Sequence, residues 1–290
     1  MFVFVGLAIV MVMVFGSFGL HGGSFGVILE ALPWEMMMIL GGAIGGFISG
    51  NTPDNIKKAL AGMKLAIKGN KWATEDYKDL LCLLFLLVKT IRTKGVVAIE
   101  AHVEDPQESK IFQYFPRVAE DHHAVEFICD YIRMMTMSFE DPNQMEDAMD
   151  RDLEKHHKEE HEPGHSLQIM ADGLPAIGIV AAVLGIIKTM GSISQPVEIL
   201  GGMVGSALVG TFLGIFLSYL VFAPFAQRFN QIAAEDGQFM NIIRYVLIAH
   251  LHNNAPQISV ELGRRNVPTR LMPSFIEIED AIADLPPDLK

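Results

Sequence analysis

Apolar residues in this chain fall into two kinds of pattern: long continuous runs and shorter periodic seams. Phe2–Leu20 contains no charged residue, and a second run begins near Pro33-Trp34-Glu35 and closes near Gly50. Two more, Leu167–Gly191 and Glu198–Phe225, are interrupted only by Asp172, Lys188 and Glu198. Uncharged runs near twenty residues predict membrane-crossing helices, because only a helix satisfies its own backbone in hydrocarbon. The expected spans are about 2–20, 33–50, 167–191 and 198–225, with short connectors at 21–33 and 192–197. Pro33 suits a first helical turn, and Trp34 suits the headgroup level. Phe2 has no basic stretch before it, so the first run reads as a retained helix and not a cleaved leader.

Between the paired runs the pattern becomes periodic. Thr74-Glu75-Asp76 is an N-terminal helix signal, and the helix it opens runs to about Lys94. Its Leu80–Val88 core is too short to span a bilayer. Val125, Ile128, Ile132, Met135 and Phe139 recur at spacings of three and four, an apolar helical seam. Met145, Met149, Leu153 and His156 continue it in an acidic helix. No strand pattern or internal repeat is present. The expected fold is all-α: a polytopic inner-membrane protein with four transmembrane helices and a helical cytoplasmic domain. Its segments are 1–50, 51–166, 167–228 and a helical tail 229–290.

Composition agrees. Half of the 290 residues are apolar and the mean hydropathy is +0.32, outside the usual soluble range. The net charge of −12 argues against nucleic acid as a partner. No Lys or Arg precedes Lys57; fifteen lie in 51–167 and five after Arg228, with none in the two short connectors. By the positive-inside rule, both termini and the central segment are cytoplasmic. Cys82 and Cys129 then read as buried core thiols, not a disulfide framework.

Candidate chemistry is sparse. No phosphate-binding loop or hydrolase set occurs, so neither an enzyme nor a bound cofactor is expected. His156, His157, His161 and His165 invite a metal reading, but a solvated helix rich in Glu and Lys accounts for them better, and no metal site is assigned. Gly41/Gly45, Gly42/Gly46, Gly201/Gly205 and Gly210/Gly214 have small-xxx-small spacing, compatible with packing within or between subunits. Pro175 and Pro224 lie inside the third and fourth runs, at an expected common depth near the inner face. Each leaves a carbonyl without its donor, at Ala171 and Leu220, and permits a kink. Glu35 and Glu198 are expected at outer ends and Asp172 at an inner end, so no carboxylate is expected at mid-membrane. An ion-driven function would then need a carboxylate from another chain. Lys188 can snorkel to the outer interface. Thr211 either lines a polar path or bonds its own helix backbone.

Taken together, these residues resemble the MotA family of flagellar stator subunits, within the MotA/TolQ/ExbB proton channel superfamily. Gly173–Gly185, Val209–Gly214 followed by Pro224, Arg92–Glu100 with Glu104-Asp105-Pro106, Val260–Arg265 and Pro273-Ser274-Phe275 carry the likeness in order along the chain. The resemblance implies a pentameric ring of such subunits around a MotB dimer, in contact with membrane lipids. MotB would supply the aspartate these spans lack. It also implies that Arg92 and Glu100 engage the rotor protein FliG, that Pro175 and Pro224 are functional, and that Asp172 holds the acidic position before the first. Sodium-driven relatives carry a threonine where this chain has Ala182, which favours protons; Thr211 does not discriminate. ExbB and TolQ, which drive periplasmic work with three spans and without the Arg92–Glu100 segment, are the alternative. A solute transporter acting alone would require an ionisable group at mid-membrane.

Overall fold

The computed structural model describes residues 2–69, 71–137, 139 and 141–286, and among these every regular element is helical. In chain order they are α1 (Phe2–Met11), a π-helical turn (Val12–Gly16), α2 (Ser17–Leu20), α3 (Gly26–Gly50), α4 (Pro53–Lys68), α5 (Thr74–Lys94) and α6 (Val97–Glu104). Next come α7 (Lys110–Gln113), α8 (Pro116–Ala119), α9 (His122–Thr136), α10 (Pro142–Met190) and α11 (Val197–Phe216). A second π-helical stretch (Leu217–Phe222) precedes α12 (Ala223–Leu251), α13 (Pro256–Arg264) and α14 (Phe275–Ala283). The helices at Gly26–Gly50, Pro142–Met190 and Val197–Leu251 are long and apolar enough to cross a membrane, and Phe4–Leu20 is a shorter apolar stretch.

Two departures from the expected boundaries matter. The second apolar helix starts at Gly26, not near Pro33, so the proline and Glu35 are internal to it. The acidic helix and the third apolar run are one helix, α10, which continues through Pro163 and Pro175. The chain also divides differently. One unit comprises Met1–Gly69 and Glu159–Ile232, the other Asn70–Lys158 and Ala233–Lys290. The tail after residue 232 is therefore part of the second unit and not a separate piece.

In the first unit the core is narrow. Ala31, Ile39 and Ala43 of α3 meet Leu174 and Ala181 of α10 and Val209, Leu213 and Leu217 of the last apolar helix. Small residues set the spacing: a Cβ on Gly62 would overlap the Phe229 ring. Phe15 packs edge-on to Phe212, with ring centroids 5.9 Å apart.

The second unit is built around α5. Leu80, Leu81, Leu83, Leu84, Leu86, Leu87 and Val88 are buried around the whole helix, which explains an apolar run too short for a membrane. Each such leucine contributes about 1.5–3 kcal/mol relative to exposure. Ile128, Ile132 and Met135 of α9 are buried with Met145, Met149 and Leu153, while Val125 and Phe139 pack at the margin, as the seam predicts. Ala73, not Thr74, caps α5, and the Asp76 carboxylate accepts its backbone N–H at 2.7 Å. Trp72 stacks on Phe239 at 3.8 Å. Lys71 bridges Asp121 at 2.6 Å and Asp236 at 2.7 Å. Cys82 and Cys129 are free and buried, and burial pushes both thiols up to about 12.

Candidate coupling site in the apolar helices

The third and fourth apolar runs cross backbone to backbone. A Cβ built on Gly178 would lie 2.7 Å from the Gly210 carbonyl oxygen and 3.0 Å from the Gly214 Cα. One built on Gly214 would lie 2.8 Å from the Leu174 carbonyl oxygen. Only glycine allows this approach, so the crossing is fixed by residue type. Pro175 directly follows Leu174, Thr211 directly follows Gly210, and Ala182, which is buried, follows the core residue Ala181. Pro175, Ala182 and Thr211 are thus each next in the chain to a residue of this contact. The Thr211 hydroxyl, half-buried, makes no hydrogen bond among the described residues, whereas Thr189 bonds the Gly185 carbonyl of its own helix at 2.9 Å. Of the two readings open for Thr211, self-bonding is not the one adopted. Asp172 is exposed, one turn before the crossing, and accepts from Gln168 at 2.8 Å.

Pro224 is elsewhere. It comes ten residues after Gly214, about 15 Å of helical rise, so the prolines do not share one depth. They are also accommodated differently. At Pro175 the α-helix simply continues with one donor missing. Ahead of Pro224 the chain widens into the π-helical Leu217–Phe222, which makes room where the ring would meet the Leu220 carbonyl. Ser218 in that stretch is fully buried, and its hydroxyl has no hydrogen-bond partner.

Glu35 corrects a second expectation. It is 5 % exposed, ten residues into α3, about 13 Å from the helix start. Its Oε2 occupies the notch over Gly210, where a Cβ would collide with it, and has no partner. A carboxylate therefore does lie inside the apolar helices, beside the crossing. The sequence signal was available: the apolar positions extend back from Pro33 to Gly26, with Glu30 alone interrupting, and Pro33 is tolerated inside the helix.

In the second unit, Arg92 and Glu100 are both exposed but do not share a helix. Gly95, with φ of 83°, ends α5, and Glu100 is on α6, so a common helical face is ruled out. Arg92 donates to the carbonyls of Asn253 at 3.1 Å and Asn254 at 2.5 Å, satisfying acceptors just beyond the end of α12. The histidines do not converge. His156 faces the His123 ring at 5.1 Å and Asp236 at 4.0 Å, and no group of three metal-ligating side chains occurs among the described residues.

Apolar helices of membrane length, crossing at glycines beside an internal proline and a buried carboxylate, define a multi-pass helical membrane protein. The family is established by comparison with known proteins. A profile described as Motility protein A N-terminal matches residues 4–95, and one described as MotA/TolQ/ExbB proton channel family matches residues 120–241. Motility protein A of Escherichia coli (strain K12) is 37% identical over 97% of this chain and 95% of its own length. Chemotaxis protein LafT of Vibrio parahaemolyticus is 34% identical over 97% and 98%. The chain belongs to the motility protein A family. Its fold also matches C. jejuni MotAB, with a TM-score of 0.72 at 16% identity, covering 92% of this chain and 95% of that one. The flagellar MotAB stator complex from Bacillus subtilis matches with a TM-score of 0.70 at 20% identity, covering 92% and 96%.

Proposed function

We infer that this chain is a flagellar stator subunit, acting in a complex that turns ion flow into torque. Full-length relationship to motility proteins of the proton channel family supports the stator assignment. In this reading four helices span the inner membrane, with both termini and the second unit in the cytoplasm. The subunits form a pentameric ring around a MotB dimer, and a MotB aspartate carries the ion past the Gly178–Gly214 crossing. Protons are the coupling ion, since the Ala182 side offers no hydroxyl. Arg92 and Glu100 meet FliG, with Arg92 using the donors left after Asn253 and Asn254.

The observation that carries the mechanism is the glycine crossing beside Pro175, with the Thr211 hydroxyl uncommitted. Protonating a nearby carboxylate in a low-dielectric site changes which acceptors and donors it holds. A helix already missing one hydrogen bond bends at lower cost than a complete one. Pro175→Ala should leave the MotB complex assembled while swimming speed falls sharply. Co-purification with MotB is measured beside speed: an assembled variant at wild-type speed overturns the mechanism, and an unassembled one reduces Pro175 to a structural role.

A further inference from the structure

Beside Pro224 lies a groove of about 370 Å³, between α1 and the stretch that carries the π-helical turns. Its length is apolar, with Leu7 and Val10 facing Leu220 and Val221. One end is not: Gln227, Arg228 and Gln231 close it. Arg228 Nη1 donates to the Gln231 Oε1 at 3.2 Å, which helps orient the guanidinium. Arg228 is also the first charged residue after the uncharged stretch 199–227, so it sits where the hydrocarbon must end. At Gly6, on the other wall, nothing lies within 4 Å of where a Cβ would be, so the groove is open there.

An aliphatic channel ending in a guanidinium and two amides, at a membrane boundary, has the chemistry of an acyl chain followed by a phosphodiester. Guanidinium recognises phosphate oxygens in a fork geometry, and amides supply further donors. We propose that this groove holds one anionic phospholipid from the leaflet at the Arg228 end, with its phosphate on Arg228 and an acyl chain along Leu7, Val10 and Leu220. The lipid then lies against Pro224, at the place where the helix has been widened. If the stator reading holds, occupancy of the groove sets how freely that kink moves; the binding itself does not depend on that reading.

The test uses the purified complex with its partner, exchanged in detergent against phosphatidylglycerol or phosphatidylcholine and read by native mass spectrometry. Wild type should retain phosphatidylglycerol in preference to phosphatidylcholine. Arg228→Gln should lower that retention roughly fivefold or more, the worth of a basic residue at an anionic surface. Gly6→Leu, which fills the groove without meeting a neighbour at its Cβ, should lower it as well. Lys57→Gln, an exposed cation away from the groove, should change nothing. Equal retention of the two lipids, or equal loss with Lys57→Gln, would mean general surface attraction and overturns the site. Full retention in Arg228→Gln and Gly6→Leu also overturns it. So does a lipid-free wild type whose oligomer falls apart in Gly6→Leu, which would assign the groove to a second copy of the chain. Motility is not read, so failure here leaves the stator assignment standing.

Discussion

The two units solve the problem of burial in opposite ways. In the second unit large side chains close around α5, and several buried charges are paired: Asp76 meets Arg117 at 2.9 Å, and Arg244 meets Glu146 at 2.8 Å. Arg270 pairs with Glu235, and Arg264 with Glu261. In the first unit the helices approach through missing side chains, while Ile44, Ile48, Ile179, Val180 and Leu184 stay exposed. Buried polar atoms without a hydrogen-bond partner occur in both units, among them Glu35 Oε2 and Ser218 Oγ in the first and Tyr77 Oη and Ser259 Oγ in the second. Water drives the first arrangement, since burying leucine removes apolar surface from it. Lipid offers no such gain, so contact rests on close fit. A shared helical vocabulary therefore hides two kinds of stability.

Substitutions can break this contrast, and the largest effect should come from the leucine core. Leu84→Ala should cost about 2–5 kcal/mol in the second unit, through lost burial and a residual cavity. Leu184→Ala, at a residue 51% exposed on α10, should be near neutral. The chain has two tryptophans, Trp34 in the first unit and Trp72 in the second, so Trp34→Phe and Trp72→Phe backgrounds let fluorescence track each unit's melting separately. Equal losses at the two leucines would erase the distinction.

Next in size should be the glycine contacts. Gly214→Ala pushes a methyl against the Leu174 carbonyl, which cannot turn aside, and should cost roughly 1–3 kcal/mol with loss of assembly. Gly263→Ala meets the Val246 side chain instead, so it should cost less. The reverse order, measured as melting shifts, would mean the crossing is slack.

The smallest effect is on pH. Burial, and next the Arg92 charge, holds the His250 imidazole below the usual histidine range; burial and then Lys94 do the same for His102. With a folded value depressed below the unfolded one of about 6.5, each histidine binds protons more readily unfolded. Their contribution is fully present above about pH 6.5 and is lost as pH falls through the depressed value. The Trp72 signal should thus show a lower midpoint in mild acid, and His250→Gln should flatten that dependence. An unchanged slope in that variant would remove His250 from the account.

Much of the fold is legible in residue order. Continuous apolar runs locate the helices of membrane length, and three-four spacing marks the α9 seam, because both patterns report burial directly. Pro175, Ala182 and Thr211 each stand out in the sequence, yet the glycine crossing beside them is not readable there. It depends on which glycines of two helices meet, and several glycine pairs have the same spacing. Reading Pro33 as a start signal misplaces Glu35, because a proline inside an apolar helix is tolerated when neighbours re-satisfy the backbone. Counting residues from a helix end misjudges the depth of Pro224, because the count ignores a crossing and an added π-helical stretch. An eight-residue spacing puts Arg92 and Glu100 on one face only if the helix is unbroken, and the single glycine at 95 breaks it.

That π-helical stretch before Pro224 also has a genetic consequence. A π turn carries about one residue more than an α turn, so it absorbs one extra residue while the helix beyond keeps its facing. Deleting any one residue between Leu217 and Phe222 should let the helix tighten into a regular α-helix, with the downstream residues keeping their facing to within about 20°. Phe229, which fills the notch over Gly62, would stay turned towards it. Single-codon deletions should therefore be tolerated better here than in the regular helix on either side, where each would swing everything downstream by roughly 100°.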